Sequence, residues 1–183
     1  MERPVSRGFK LTPRMLAASA ACVAVAFALS LITIFRMPQG GSVHPGSMLF
    51  ITLPGYFFGP VAGFTSAAAF GLLDFIFNPS FYHPVQFLLD YILGFGAFGV
   101  AGFFKNRKYG LYNGFILGVA LRFVFSTLSG VIFFAEYAGD QNVWIYSMGY
   151  QLAYLGPETA MTAVLLAVPA FQSGIDRVKK MFA

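Results

Sequence analysis

KNRKYGLYNGFILGVALRFVFSTLSGVIFF, residues 105–134, decides the fold class. A short basic loop with Lys105, Arg107 and Lys108 runs into an apolar stretch, 111–134, whose one charged residue is Arg122. A helix of that length rises about 36 Å at ~1.5 Å per residue, enough to cross a hydrocarbon layer of about 30 Å. Basic residues beside such a span mark its cytoplasmic end. The stretch therefore reads as a transmembrane helix that starts in the cytoplasm.

Working outward, five further apolar segments are expected to be helical, at about 15–35, 47–58, 61–77, 85–104 and 144–171. The segment 47–58 is short for a bilayer crossing, and Pro157 and Pro169 are expected to kink the last one. Of the twelve Lys and Arg, ten fall in three places: Arg3, Arg7, Lys10 and Arg14; the loop already quoted; and Arg177, Lys179 and Lys180. Six spans put both termini on the cytoplasmic side, together with that basic loop. The first run, 15–35, is too long for a signal-peptide core and reads as a retained helix. Composition agrees, with 57% hydrophobic and 10% charged residues against about 25% charged in soluble domains. The expected fold is an all-α integral membrane protein, one membrane domain of six transmembrane helices over 1–183, multi-pass in the lipid bilayer. The net charge of +5 is concentrated at the ends of spans, where it sets topology, so no nucleic-acid partner is expected.

The sequence carries no G-x-x-x-x-G-K-[ST] phosphate loop and no H-E-x-x-H zinc motif. With two histidines and the single Cys22, which reads as a packing residue, no metal site, no cofactor and no enzymatic activity are expected. Uptake by such a chain draws on an ion gradient or on a partner.

Four ionisable residues fall within apolar spans: Asp74, Asp90, Arg122 and Glu158. Such residues face a cavity or one another. At helical spacing, His83, Gln86, Asp90, Gly94 and Ala97 share one face. So do Arg122, Ser126, Ser129 and Phe133, and so do Ser147, Gln151, Tyr154 and Glu158. Turning the three stripes together makes a polar pocket that opens outward near Tyr146 and His83. Asp90 is expected to contact a ligand. For Asp74, Arg122 and Glu158, a structural Arg–carboxylate pair and a ligand contact both remain open. His83 precedes a proline and serves either as a cap or as a ligand contact. Phe133, Phe134, Trp144 and Tyr146 read as an interfacial belt or as a stacking surface for a flat or cationic ligand. Ala17, Ala21, Ala24 and Ala28 form a small-residue stripe, for internal packing or for docking another membrane protein.

Four stretches carry a resemblance: MPQGGSV at 37–43, HPVQFLLDY at 83–91, SGVIFF at 129–134, and VWIYS at 143–147 followed by Tyr150. In this order they resemble the ThiT family, the thiamine-binding S components of energy-coupling factor (ECF) transporters. The resemblance spans nearly the whole chain. It implies an S-component bundle in the bacterial cytoplasmic membrane, partnered by a transmembrane coupling protein and two cytoplasmic ATPases. It also implies a vitamin ligand, thiamine or a related aminopyrimidine. The acidic pyrimidine contact falls on Asp90 with Tyr91 adjacent, and the last-helix tyrosine falls on Tyr146. The lid loop falls on Gln39, Gly40, Gly41 and Ser42, and the docking face on the alanine stripe. Ser126 stands where the family commonly has His, Gln151 where it has Asn, and Phe133 where some members have Trp. Trp144 and His83 border the same pocket. Two other readings stay in view: the same family taking a thiamine precursor or analogue, and a self-sufficient ion-coupled carrier or channel.

Overall fold

The computed structural model describes residues 12–79 and 83–182. Arg3, Arg7 and Lys10 lie outside the described residues, as does the middle of the loop before His83. Helix α1 spans Pro13–Ser30, capped by Thr12, whose side-chain oxygen accepts from the Met15 N–H at 3.3 Å. Pro13 at the first helical position loses no hydrogen bond there. Helices α2 (Ser47–Phe58) and α3 (Pro60–Phe77) follow. Helix α4 runs over Pro84–Phe104, α5 over Gly110–Phe133 and α6 over Val143–Ala167. Helix α7, Pro169–Lys180, is amphipathic and closes the chain.

All six expected segments form helices, in the expected order. Helices α1, α3, α4 and α5 are long and apolar enough to cross a membrane, and the bent pair of α6 and α7 makes a fifth such unit. Helix α2, with 12 residues, is apolar but shorter than a span. Two boundaries differ from expectation. The first span ends at Ser30 rather than 35, because Phe35–Arg36 (β1) pairs antiparallel with Ser42–Val43 (β2). The chain is thus not purely helical, since a small hairpin sits between α1 and α2. The last span does not continue to 171. Pro169 offers no N–H and disfavours helical geometry at the residue before it. Val168 is accordingly extended (φ −74°, ψ 116°), and α7 leaves α6 at 79°. Pro157, by contrast, is contained within α6.

Helix α4 is irregular. It begins as α-helix, passes through a π-helical stretch at Leu88–Leu93 and ends as 3₁₀-helix over Ala97–Phe104. Small residues let its neighbours approach. A Cβ at Gly63 of α3 would lie 2.8 Å from the Gly99 carbonyl oxygen of α4 and 2.8 Å from the Gly55 Cα of α2. Phe58, Phe70, Phe98, Phe115, Leu49, Ile51 and Leu155 fill the core. Ile76, Ile116, Val124, Ile132 and Val164 are exposed on the outside, as suits a surface solvated by lipid. At one end of the bundle the basic residues gather. Lys179 donates to the Lys105 carbonyl and its Nζ lies 3.7 Å from the Tyr56 ring centroid, while Arg14 stacks on Phe182.

Candidate functional site

At the other end, α1, the hairpin and α2 to α6 surround a cavity of about 110 Å³, counting the space that the centre of a water molecule can reach. The π-helical stretch decides what α4 contributes. One extra residue in a turn shifts the register, so pairs five apart share a face. Gln86 and Tyr91 line the cavity together, as do Asp90 and Phe95. The regular spacing predicted Gly94 and Ala97 on that stripe instead, and the bulge replaces them with two aromatic rings.

Asp90 is fixed by the Ser129 hydroxyl, which donates to it at 2.7 Å from α5. Gln151 braces the facing wall, its Nε2 donating to the Ser126 carbonyl at 3.0 Å while its oxygen accepts from the Tyr154 hydroxyl. Ser126, Gln151 and Tyr154 are all buried. The amide of Gln151 thus organises the wall, with its oxygen and one donor already engaged. Ser147 is 2% exposed and its hydroxyl has no partner among the described residues, which leaves it a donor facing the cavity.

The hairpin covers this space. Gln39, Gly40, Gly41 and Ser42 all line the cavity. The Gln39 N–H donates to the Tyr150 hydroxyl at 2.9 Å. Ser42 and His44 share a hydrogen bond of 2.7 Å. Glu158 of α6 accepts from the Ser47 hydroxyl at 2.7 Å and from the His44 N–H at 3.4 Å. Burial holds the His44 imidazole below its ordinary range; its contact with the Ile32 carbonyl works the other way, and Arg122 and Arg36 reinforce the depression.

Three carboxyl groups, Asp74, Asp90 and Glu158, share the lining with one guanidinium, Arg122, which is close enough to act on each electrostatically. Arg122 forms no ion pair with them among the described residues. It lies over the Phe95 ring, its Cζ 3.8 Å from the centroid. The structural Arg–carboxylate pair left open by the sequence is therefore not formed.

Of the residues singled out in the sequence, Asp90, Tyr91, Ser126, Tyr146, Gln151 and the four hairpin residues come together on the cavity. Three do not. Trp144 is 50% exposed and off the lining. His83 caps α4 by accepting from the Val85 N–H at 3.2 Å, and it stacks on Phe133 at 5.3 Å outside the lining. Phe134 lines the cavity where Phe133 was expected. Ser30, Ser47, Met48 and Phe70 join the lining without having been singled out. The two serines sit at helix ends flanking the hairpin, which is the one signal that pointed to them. Among the described residues no cluster of His, Cys, Asp or Glu has the geometry to hold a metal ion. The alanine stripe lies elsewhere: Ala17, Ala21, Ala24 and Ala28 are exposed, on the side of α1 opposite the buried Ser19, Val23, Ala26 and Ser30.

Comparison with known proteins follows the same lines. Residues 16–175 match the model of a family described as thiamine transporter protein. The chain is 35% identical over 147 residues to the thiamine transporter ThiT of Bacillus subtilis, covering 72% of this chain and 76% of that one. A solved structure of ThiT from Listeria monocytogenes superposes with a TM-score of 0.73 at 21% identity, covering 84% of this chain and 91% of that chain.

Proposed function

The chain belongs to the thiamine transporter protein family, and on that premise we propose that it is the thiamine-binding S component of an ECF-type importer. The observation that carries this reading is the composition of the cavity. Three carboxyl groups against one guanidinium, with tyrosine and phenylalanine walls, suit an aromatic cation. Thiamine is such a cation, a thiazolium joined to an aminopyrimidine. Asp90 takes the N–H donors of the aminopyrimidine, and Tyr146, Tyr150 and Phe134 supply stacking surface. The hairpin acts as the lid. In this reading the cavity faces outward, and the basic end with both termini lies in the cytoplasm, as loop charge favours. The exposed alanine stripe of α1 is the docking face for the coupling protein, because small side chains permit close helix approach in lipid. ATP is hydrolysed by the partner ATPases.

The test is calorimetric titration of the purified chain in detergent with thiamine, and with the free hydroxymethyl aminopyrimidine in parallel. One-to-one thiamine binding, weakened at least ~10-fold by Asp90→Asn, is the expected result. Binding of the pyrimidine alone would keep the family and change the ligand. Absence of binding to both would overturn the reading and direct attention to transport by the isolated chain in proteoliposomes.

A further inference from the structure

Helix α6 has 25 residues and rises about 37 Å, enough to cross a bilayer without help from α7. Helix α7 leaves it at 79°, so where α6 crosses the membrane α7 lies along the membrane surface. Hydrogen bonds hold that angle. The break at Pro169 leaves the Leu166 carbonyl without its helical donor, and the Tyr112 hydroxyl of α5 donates to it instead at 2.7 Å. The Gln172 amide donates to the same carbonyl and to the Tyr112 oxygen. Near the other end of α7, Lys179 donates to the Lys105 carbonyl, and Phe182, just past the helix, meets Phe58 edge-on at 5.0 Å. Helix α7 is thus a fixed shelf rather than a trailing end.

The shelf has three faces. Phe171, Ile175 and Phe182 turn to the bundle, where Ile175 is buried and Phe171 meets Phe50 edge-on at 6.4 Å. On the opposite face Arg177 and Lys180 are exposed and form no ion pair among the described residues. Beside these two, at helical spacing, Ala170, Gly174, Val178 and Met181 make an apolar flank. All four are exposed, Val178 by 39% and Met181 by 58%. A Cβ at Gly174 would meet nothing within 4 Å. Two cations therefore stand directly beside two uncovered apolar side chains, 177 next to 178 and 180 next to 181. That is the arrangement of a helix lying at the headgroup level of a membrane, with its apolar side on acyl chains and its basic side among phosphates.

We propose that the outer side of α7 is a binding surface for anionic phospholipid: Arg177 and Lys180 take headgroup phosphates while Val178 and Met181 rest on the acyl chains beneath them. Charge complementarity selects this occupant. The Lys179 bond ties α7 to the loop of Lys105, Arg107 and Lys108, which adds positive charge at the same end. The one carboxylate of α7, Asp176, lies on its other side, in a cleft with Tyr109 and Tyr112. An acidic protein segment would answer the two cations but leave the apolar flank in water. A zwitterionic lipid would cover the flank but bring no net charge to the cations. With the basic end in the cytoplasm, as proposed above, the lipid belongs to the inner leaflet. This contact is independent of which ligand fills the cavity at the other end of the bundle.

The test uses the full-length protein in an uncharged detergent, with phosphatidylglycerol and phosphatidylcholine of matched acyl chains added singly and as a mixture. Native mass spectrometry counts the retained lipid, and a melting curve is read in parallel. The wild type is expected to retain phosphatidylglycerol in preference and to gain melting temperature from it in a saturable way. Arg177→Gln combined with Lys180→Gln is expected to weaken that binding about 25-fold, at about 5-fold for each charge, with the lipid-free melting temperature unchanged. Met181→Ser, which shortens the apolar flank, should weaken both lipids by a similar factor. Inorganic phosphate should not reproduce the rise in melting temperature, because it brings nothing to the flank. Equal retention of the two lipids by the wild type would overturn the proposal. So would a preference for phosphatidylglycerol that survives the loss of Arg177 and Lys180; if that double variant also fails to co-purify with the coupling protein, the face belongs to a protein contact instead.

Discussion

The backbone N–H of Gln39 donates to the phenol oxygen of Tyr150 at 2.9 Å, so the tip of the hairpin is held by a side chain of α6 that also lines the cavity. In the proposed function, this bond links closure of the hairpin to the wall that the ligand touches. Tyr150→Phe keeps the ring and removes the acceptor. The dissociation rate of thiamine is expected to rise about 2- to 10-fold, with a smaller change in the association rate. Stopped-flow competition against unlabelled ligand measures both.

Gly41 faces Tyr154 so closely that a Cβ would lie 2.6 Å from Cδ1 and 2.7 Å from Cε1 of its ring. That ring is buried, and its hydroxyl is bonded to Gln151, so it has little room to yield. Gly41→Ala is expected to prop the hairpin open and weaken thiamine binding about 10-fold, while thermal stability of the empty protein changes little. Calorimetry and a melting curve separate the two effects.

Glu158 joins α6 to the start of α2 through Ser47 and to the hairpin exit through the His44 N–H. Glu158→Ala strands the buried Ser47 hydroxyl and the half-buried His44 N–H, and is expected to destabilise the empty protein by about 1–3 kcal/mol, seen as a lower melting temperature. Glu158→Gln keeps an acceptor oxygen and is expected to lose less.

His44 gives the closed hairpin a pH dependence. Burial depresses its pKa from the ordinary 6.5 in the arrangement seen here, and exposure in an opened loop is expected to return it to that value. The open state therefore binds more protons. Closure is at full strength above about pH 6.5 and weakens as pH falls through the lower, closed-state value. Thiamine dissociation is expected to accelerate between about pH 7 and about pH 5.5, and His44→Asn should flatten that part of the profile. The dissociation rate measured across this range in both proteins checks the sign.

The exposed alanines make a prediction about assembly. Ala21→Trp and Ala24→Trp are expected to leave thiamine affinity within about 2-fold of wild type, because neither residue touches the cavity. Both should prevent co-purification with the coupling protein. Loss of ligand binding in these variants would show that the face serves the bundle itself.

Several of these residues are legible in the amino-acid sequence alone. Asp90, Gln151 and Ser126 sit on stripes whose spacing directs them inward, Tyr146 stands at the mouth of the pocket those stripes imply, and the hairpin residues are marked by two glycines between two prolines. The limits of that reading follow from its assumption of regular helices. The π-helical stretch at Leu88–Leu93 shifts the register and exchanges Gly94 and Ala97 for Tyr91 and Phe95. A bulge has no signature in hydrophobic periodicity, because lipid-facing and core-facing residues are both apolar. Trp144 and Phe133 carry the right chemistry at helix ends, but a rotation of one residue separates the cavity from the outer surface, and Phe134 takes the inward place.

Charge and hydropathy along the chain determined that this is a multi-pass membrane protein, which segments are helical, and which helix faces are polar. Those are one-dimensional properties, fixed by the cost of placing polar groups in hydrocarbon. The tertiary structure decided the partners of the buried charges. Whether Arg122 pairs with Asp74, Asp90 or Glu158 depends on ångström-scale offsets between helices set by glycine contacts, by Pro169 and by an irregular turn. None of these is a property of a single segment. The packed bundle gives Glu158 to Ser47 and His44, Asp90 to Ser129, and leaves Arg122 stacked on Phe95 with Nε and Nη1 unpartnered among the described residues.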